Sequence, residues 1–377
     1  MSKNLKIGTW EAVATIGCIS LIPTLLTIPT FTVETIGTAT FLHSIYTSII
    51  TFIFLAIILA LYKNFANMDI FDVANYVGGK PLLLIFCIIT LLYLLVSFVL
   101  TFSEFIQNLQ NVLLQNAPQE YISIIFGIVI TISVFLGIRG IFRTGSIITP
   151  LIVIGFLLMF FSLQKDVDLT NFFPLFGNGV SNFFVEGFNY VGKYEGVFFI
   201  LLITPFVKDY KKVGYFSFFL ATFFIIPSLF LLVGIFPYPS VMENYFPIFE
   251  LTRLISLGRF IQRVESIFIL LWLLATFIYL SLALSFIVEI FQKMFNIKYS
   301  HRLIPVFSTI AVCLSCMLTS HDLILKIRYF VFSNITPIVI IINPLILLIV
   351  AQIKRRHKCK KLIVQNSSSW YYLFHSF

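Results

Sequence analysis

Two ionisable residues, Lys193 and Glu195, stand between Gly192 and Gly196 in the stretch VGKYEG, and the run VFFILLITPFV that follows is apolar apart from one threonine. Glycines on either side permit unwound backbone, whose free N–H and C=O groups then need a ligand, water or a side chain. A carboxylate and an ammonium in such a break could hold a small polar molecule. Whether they do depends on the solvent around them.

Mean hydropathy is +1.01, and 59% of the 377 residues are apolar against 11% charged. One water-soluble core cannot hide that much apolar surface, so the chain reads as an all-α, multi-pass integral membrane protein. A crossing takes about 20 apolar residues. Runs of that kind lie near 8–30, 37–62, 81–103, 120–138, 144–163, 183–207, 213–236, 264–290, 303–320 and 329–352. The two-residue alternation of a membrane barrel is absent.

Ten spans with both termini in the cytoplasm place most lysines and arginines inside, including Lys3, Lys6, Lys208, Lys211, Lys212 and the tail cluster Lys354, Arg355, Arg356, Lys358, Lys360, Lys361. The net charge of +9 thus reads as topology, with no call for nucleic acid. Residues 1–352 form the membrane domain and 353–377 a basic cytoplasmic tail, a stop-transfer anchor that could also meet anionic lipid. The first apolar run is long enough to span and lacks a small-residue cleavage site, so no cleavable signal is expected.

Ten spans divide into two sets of five, and because five is odd the second set is inverted relative to the first. That is the plan of transporters whose site lies where the first helix of each set is broken. The first span carries Pro23 and Pro29, with Thr24 beside the first proline. The sixth carries VGKYEG. Gly196 to Val207 reaches only about 18 Å as helix, so the crossing must begin upstream, which places Gly192 to Gly196 deep in the membrane. A carboxylate there is costly unless it faces a cavity or a partner, and is a functional candidate by default. The competing reading starts the span later and leaves Lys193 and Glu195 as an exposed interfacial pair.

Tyr93, Ser97 and Thr101 recur every four residues on one face of the third span. Thr276, Tyr279 and Ser281 interrupt the eighth, with Arg263 and Glu265 at its outer end. Such hydroxyl stripes also serve as interhelical glue. The candidate ligand-binding set is Thr24, Tyr93, Ser97, Gly192, Glu195, Gly196 and Thr276, with Pro23, Pro205, Arg263 and Glu265 in structural roles. No HExxH, GxSxG, Walker or Rossmann pattern sits in a suitable context, and the histidines are scattered, which argues against an enzyme. Cys313 and Cys316 form a CxxC without a second pair or a nearby histidine, so neither a metal nor a cofactor is expected.

Residues 246–272, FPIFELTRLISLGRFIQRVESIFILLW, together with NFFPLFGNGV at 171–180 and the glutamate of the sixth span, resemble the spore-germination permeases. These are the B subunits of nutrient germinant receptors, within the amino acid–polyamine–organocation superfamily. The most specific part is the series Pro247, Arg253, Gly258, Arg263, Glu265, Trp272. The resemblance implies a LeuT-like bundle with a 5+5 inverted repeat, and a site between the broken first and sixth helices and the third and eighth. It also implies a small nutrient ligand, often an amino acid, A and C subunits as partners, and the spore inner membrane as the setting. Two departures stand out. The family usually carries Gly, an aromatic, then Glu in the sixth helix, whereas Lys193 and Tyr194 separate Gly192 from Glu195 here. Pro23 and Thr24 occupy the usual Gly-rich break of the first helix. The alternatives to a receptor subunit are a proton-coupled amino-acid transporter and an ion-conducting pore.

Overall fold

The computed structural model describes residues 6–22, 28–238, 240–243, 246–255, 264–297 and 301–356. Among the described residues the secondary structure is helical apart from one isolated parallel bridge between Ile7 and Val207. The helices are α1 (Thr9–Ile19), α2 (Ile28–Ile36), α3 (Thr40–Leu61), α4 (Ile70–Val112), α5 (Gln119–Phe135), α6 (Ile138–Leu163), α7 (Val180–Phe184), α8 (Ile200–Ile203), α9 (Tyr210–Ile235), α10 (Pro247–Arg253), α11 (Val264–Phe295), α12 (Leu303–Met317) and α13 (His321–Phe330).

Six stretches among the described residues are long and apolar enough to cross a membrane: Pro29–Phe65, Ile70–Val112, Ile138–Asp166, Tyr210–Ile235, Glu265–Phe295 and His321–Arg356. The expected fourth and ninth spans are the shorter apolar helices α5 and α12. The expected sixth span is interrupted, and in the expected first α1 ends at Ile19, with residues 23–27 outside the described residues. Isoleucines and leucines such as Ile85, Ile89, Leu92, Ile125, Ile128 and Leu158 stand exposed on the helices, which suits side chains that meet lipid rather than water. The protein is a multi-pass integral membrane protein.

Breaks follow from local sequence. In α4, Gly79 takes φ 65° and ψ −160°, a left-handed φ that favours glycine, and Pro81 follows without an N–H to continue the ladder. The segment from Ile70 to Gly78 is thereby set off from the membrane part of α4. The sixth span runs from α7 through a 3-10 stretch, Glu186–Phe199, to the single turn α8 and the 3-10 turn Thr204–Phe206 that contains Pro205. The interruption is therefore a tightened helix with a kink at Tyr194 (φ −100°, ψ 18°), not the unwound loop that its glycines suggest. Fourteen residues of 3-10 geometry is long for a form normally used in short pieces and common at hinges. The last span continues from α13 through two π-helical turns, Val331–Ile335 and Ile338–Ile342, which flank Thr336 and Pro337.

Polar and small residues lock the centre. Every residue of α1 from Ala12 to Ile19 is buried, and α1 packs on α6, α9 and α11. The Thr15 hydroxyl donates to Phe142 O (3.1 Å), and that of Thr149 reaches back to Ala14 O (3.0 Å). Such cross-helix bonds matter where lipid offers no hydrophobic drive for association. Two ties join the sixth span to the N-terminal region. Ile7 N–H donates to Phe206 O (2.9 Å), and the Tyr190 hydroxyl donates to Phe31 O (2.9 Å) while lying 2.7 Å from Thr35 Oγ1. Asp69 caps α4 by accepting from Asp72 N–H (2.9 Å), and its carboxylate pairs with Lys293 of α11, which also meets Asp72 at 2.7 Å.

Candidate functional site: a carboxylate held between two tyrosines

Glu195 sits one residue past the kink and is 5% exposed. The Tyr93 hydroxyl of α4 donates to its Oε2. That of Tyr279, from α11, donates to its Oε1 (3.0 Å), and Ser97 in turn lies 2.8 Å from the Tyr279 oxygen. Thr336 Oγ1, between the two π-turns, is 3.3 Å from the Tyr93 oxygen and donates to Val331 O. Four parts of the bundle therefore converge on one carboxylate. Hydrogen bonds to a charged group are the strong ones, worth about 1.5–3 kcal/mol each, so two phenols offset much of the cost of burying it.

The polar face of α4 extends beyond this cluster. Tyr93, Ser97 and Thr101 are all buried on the inward side, and Glu104 continues the line three residues further on, with no exposure. Arg328 of α13, also buried, donates to Thr101 Oγ1 (3.1 Å) and to Glu104 Oε2 (2.6 Å). One turn later Gln107 Oε1 meets His321 Nδ1 at 2.9 Å. The Arg328–Glu104 pair escaped the reading of the sequence. The helical face that Glu104 continues, three residues after Thr101, was the available signal.

Lys193 and Glu195 are not an exposed interfacial pair. Lys193 is 1% exposed, its Nζ stands 5.4 Å from the Tyr190 ring centroid, and no hydrogen-bond partner for it exists among the described residues. Between the two, Tyr194 points elsewhere, with its hydroxyl on Ser48 of α3 and its ring stacked on Phe218 of α9 at 5.0 Å. The glycines serve close approach. A Cβ on Gly196 would lie 2.5 Å from Ser20 Oγ and 3.0 Å from Ser20 N, so the sixth span here touches the end of α1. A Cβ on Gly192 would come within 3.1 Å of both Phe332 and Thr336.

The other candidates divide. Thr276 is fully buried, and its hydroxyl donates to Trp272 O one turn back (2.9 Å). Pro205 opens the 3-10 turn at the end of the sixth span, and Glu265 lies in the first turn of α11. Pro23, Thr24 and Arg263 lie outside the described residues. Cys313 and Cys316 are free thiols, and no group of three metal-ligating side chains occurs among the described residues. A cavity of about 50 Å³ beside Tyr93 is lined by Thr90, Leu94, Phe199, Val339 and Asn343. It is room for a few waters at roughly 10–15 Å³ each.

Solved structures share this fold. A substrate-bound, outward-open Na+-coupled sialic acid symporter superposes with a TM-score of 0.62 at 13% identity, covering 87% of this chain and 77% of its own. MHP1, a nucleobase-cation-symport-1 family transporter in a closed conformation, gives 0.62 at 15% identity over 89% and 78%. A manganese transporter of Eremococcus coleocola gives 0.55 at 12% identity over 91% and 77%. At these identities the likeness establishes the fold, that of LeuT-like transporters, and nothing about cargo. In sequence, the chain is 23% identical over 291 residues to spore germination protein XB of Bacillus anthracis, covering 74% of this chain and 79% of that protein. Residues 6–324 match the spore germination protein family of permeases, and the chain belongs to that family.

Proposed function

We propose that this protein is the membrane subunit of a spore germinant receptor, which binds a small nutrient, an amino acid being the favoured class, and signals germination. In this reading the chain crosses the membrane ten times as two inverted sets of five, with the first and sixth spans broken. Tyr93, Ser97, Gly192, Glu195 and Gly196 line the site, joined by Thr24 and Thr276. A and C subunits receive the signal, and the tail from residue 353 is a basic cytoplasmic segment.

The observation that carries the reading is Glu195, a buried carboxylate at a helix kink, gripped by hydroxyls from α4 and α11. A protein with only a structural task has little reason to keep such a group at membrane depth. The small cavity beside Tyr93 supports a second step: a nutrient enters only when the kink and its neighbours part. Ligand would then favour the parted arrangement, and that bias is what partner subunits can sense.

The fold shared with symporters favours a second reading, a proton-coupled amino-acid transporter in which Glu195 carries the proton. Vesicles containing this chain alone separate the two. A receptor subunit binds labelled amino acid without accumulating it under an imposed proton gradient, and co-purifies with A and C subunits. Gradient-driven accumulation would establish the transporter and remove the receptor reading.

A further inference from the structure

The ammonium of Lys193 has no use within the described protein. It is 1% exposed, Glu195 two residues away has both oxygens bonded by tyrosines, and no ion pair or hydrogen bond to Lys193 Nζ exists among the described residues. Among the described residues its ammonium lies 5.4 Å from the Tyr190 ring, which also meets the rings of His43 at 5.7 Å and Phe332 at 5.9 Å. A cation–π contact offsets only part of the cost of burying an ion. A buried amine on those terms is kept charged only if an anion is brought to it.

We propose that Lys193 is the anchor for a carboxylate group of the ligand, so that the site takes an amino acid rather than an uncharged nutrient. The inference rests on the nutrient-binding reading of the kink. Lys193 and Glu195 leave the same kink on different sides of Tyr194, and an α-amino acid carries one group for each. Its carboxylate would pair with the ammonium and its own ammonium with Glu195. An ammonium is a compact charge with three donors, suited to one carboxylate and indifferent to the side chain beyond it. Tyr190, bonded to Phe31 O and close to Thr35 Oγ1, fixes the wall against which the lysine lies.

The test uses the purified full-length chain in detergent and reads thermal unfolding with each of the twenty common amino acids, with the carboxamide of any that stabilises, and with glucose and inosine as uncharged probes. At least one amino acid is expected to stabilise the wild type, and its carboxamide to bind about ten- to hundredfold more weakly, the loss of a charge-assisted bond. Lys193→Gln should bind acid and carboxamide alike, and Lys193→Arg should keep the preference for the acid. Unliganded Lys193→Gln should unfold at a higher temperature than wild type, because it sheds an unpaired buried charge. A lower one would mean that the protein itself uses the ammonium, and overturns the proposal. Equal binding of acid and carboxamide to the wild type, unchanged binding of the acid to Lys193→Gln, or stabilisation by glucose or inosine alone overturns the anchor and leaves nutrient binding standing. No stabilisation by any probe overturns both.

Discussion

Arg328 and Glu104 form an ion pair of 2.6 Å inside the bundle, joining the last span to α4 across 224 residues of sequence. The guanidinium also holds Thr101, so the pair is the next rung of the hydroxyl line that begins at Tyr93. Removing one member of a buried pair leaves the other uncompensated, at a cost of about 3–5 kcal/mol. Glu104→Ala and Arg328→Ala should each lower membrane accumulation and the unfolding temperature. The double variant Glu104→Met with Arg328→Met should be less damaged than either single change. Additive losses in the double variant would mean that the two residues act separately.

The carboxylate between its tyrosines gives a graded series. Glu195→Gln should insert normally and shift the nutrient concentration dependence by about tenfold to hundredfold, or abolish the response. Tyr93→Phe and Tyr279→Phe, each removing one bond to the carboxylate, should do nearly as much. Ser97→Ala removes a neutral bond to Tyr279, worth about 0.5–1.5 kcal/mol, and should do less. A full response from Glu195→Gln spores at normal protein level would refute the site.

Gly196 is constrained by contact with Ser20, including backbone atoms that cannot step aside. Gly196→Ala should therefore push the sixth span off the end of α1 and impair the nutrient response. Gly140→Ala is the control, since its nearest obstacle is 4.0 Å away and alanine favours helix by up to about 1 kcal/mol. Equal tolerance of both changes would show that the contact has no part in signalling.

Topology has a direct assay. With ten crossings, cysteines placed at Lys3 and Asn366 should resist a membrane-impermeant label applied from outside intact membranes. Labelling of either end would undo the inverted-repeat assignment.

Much of the architecture was legible because membrane segments obey one-dimensional rules. The apolar runs around α3, α4, α6, α9 and α11 reveal themselves by length, since about 20 residues must cover the hydrocarbon. The line Tyr93, Ser97, Thr101 reveals its common face by helical period. The glycines around Lys193 and Glu195 marked an interrupted helix, and their spacing pointed to the sixth span. Partner choice had no such signature. Which hydroxyls reach Glu195, and that Arg328 finds Glu104, are decided by helices meeting across 84 to 224 residues. Sequence alone left Lys193 between an interfacial headgroup contact and the interior, because both positions suit a long amphipathic side chain. Only the packing of the sixth span against Ser20, Phe332 and Thr336 put it inside, where an ammonium without a partner becomes a demand for one.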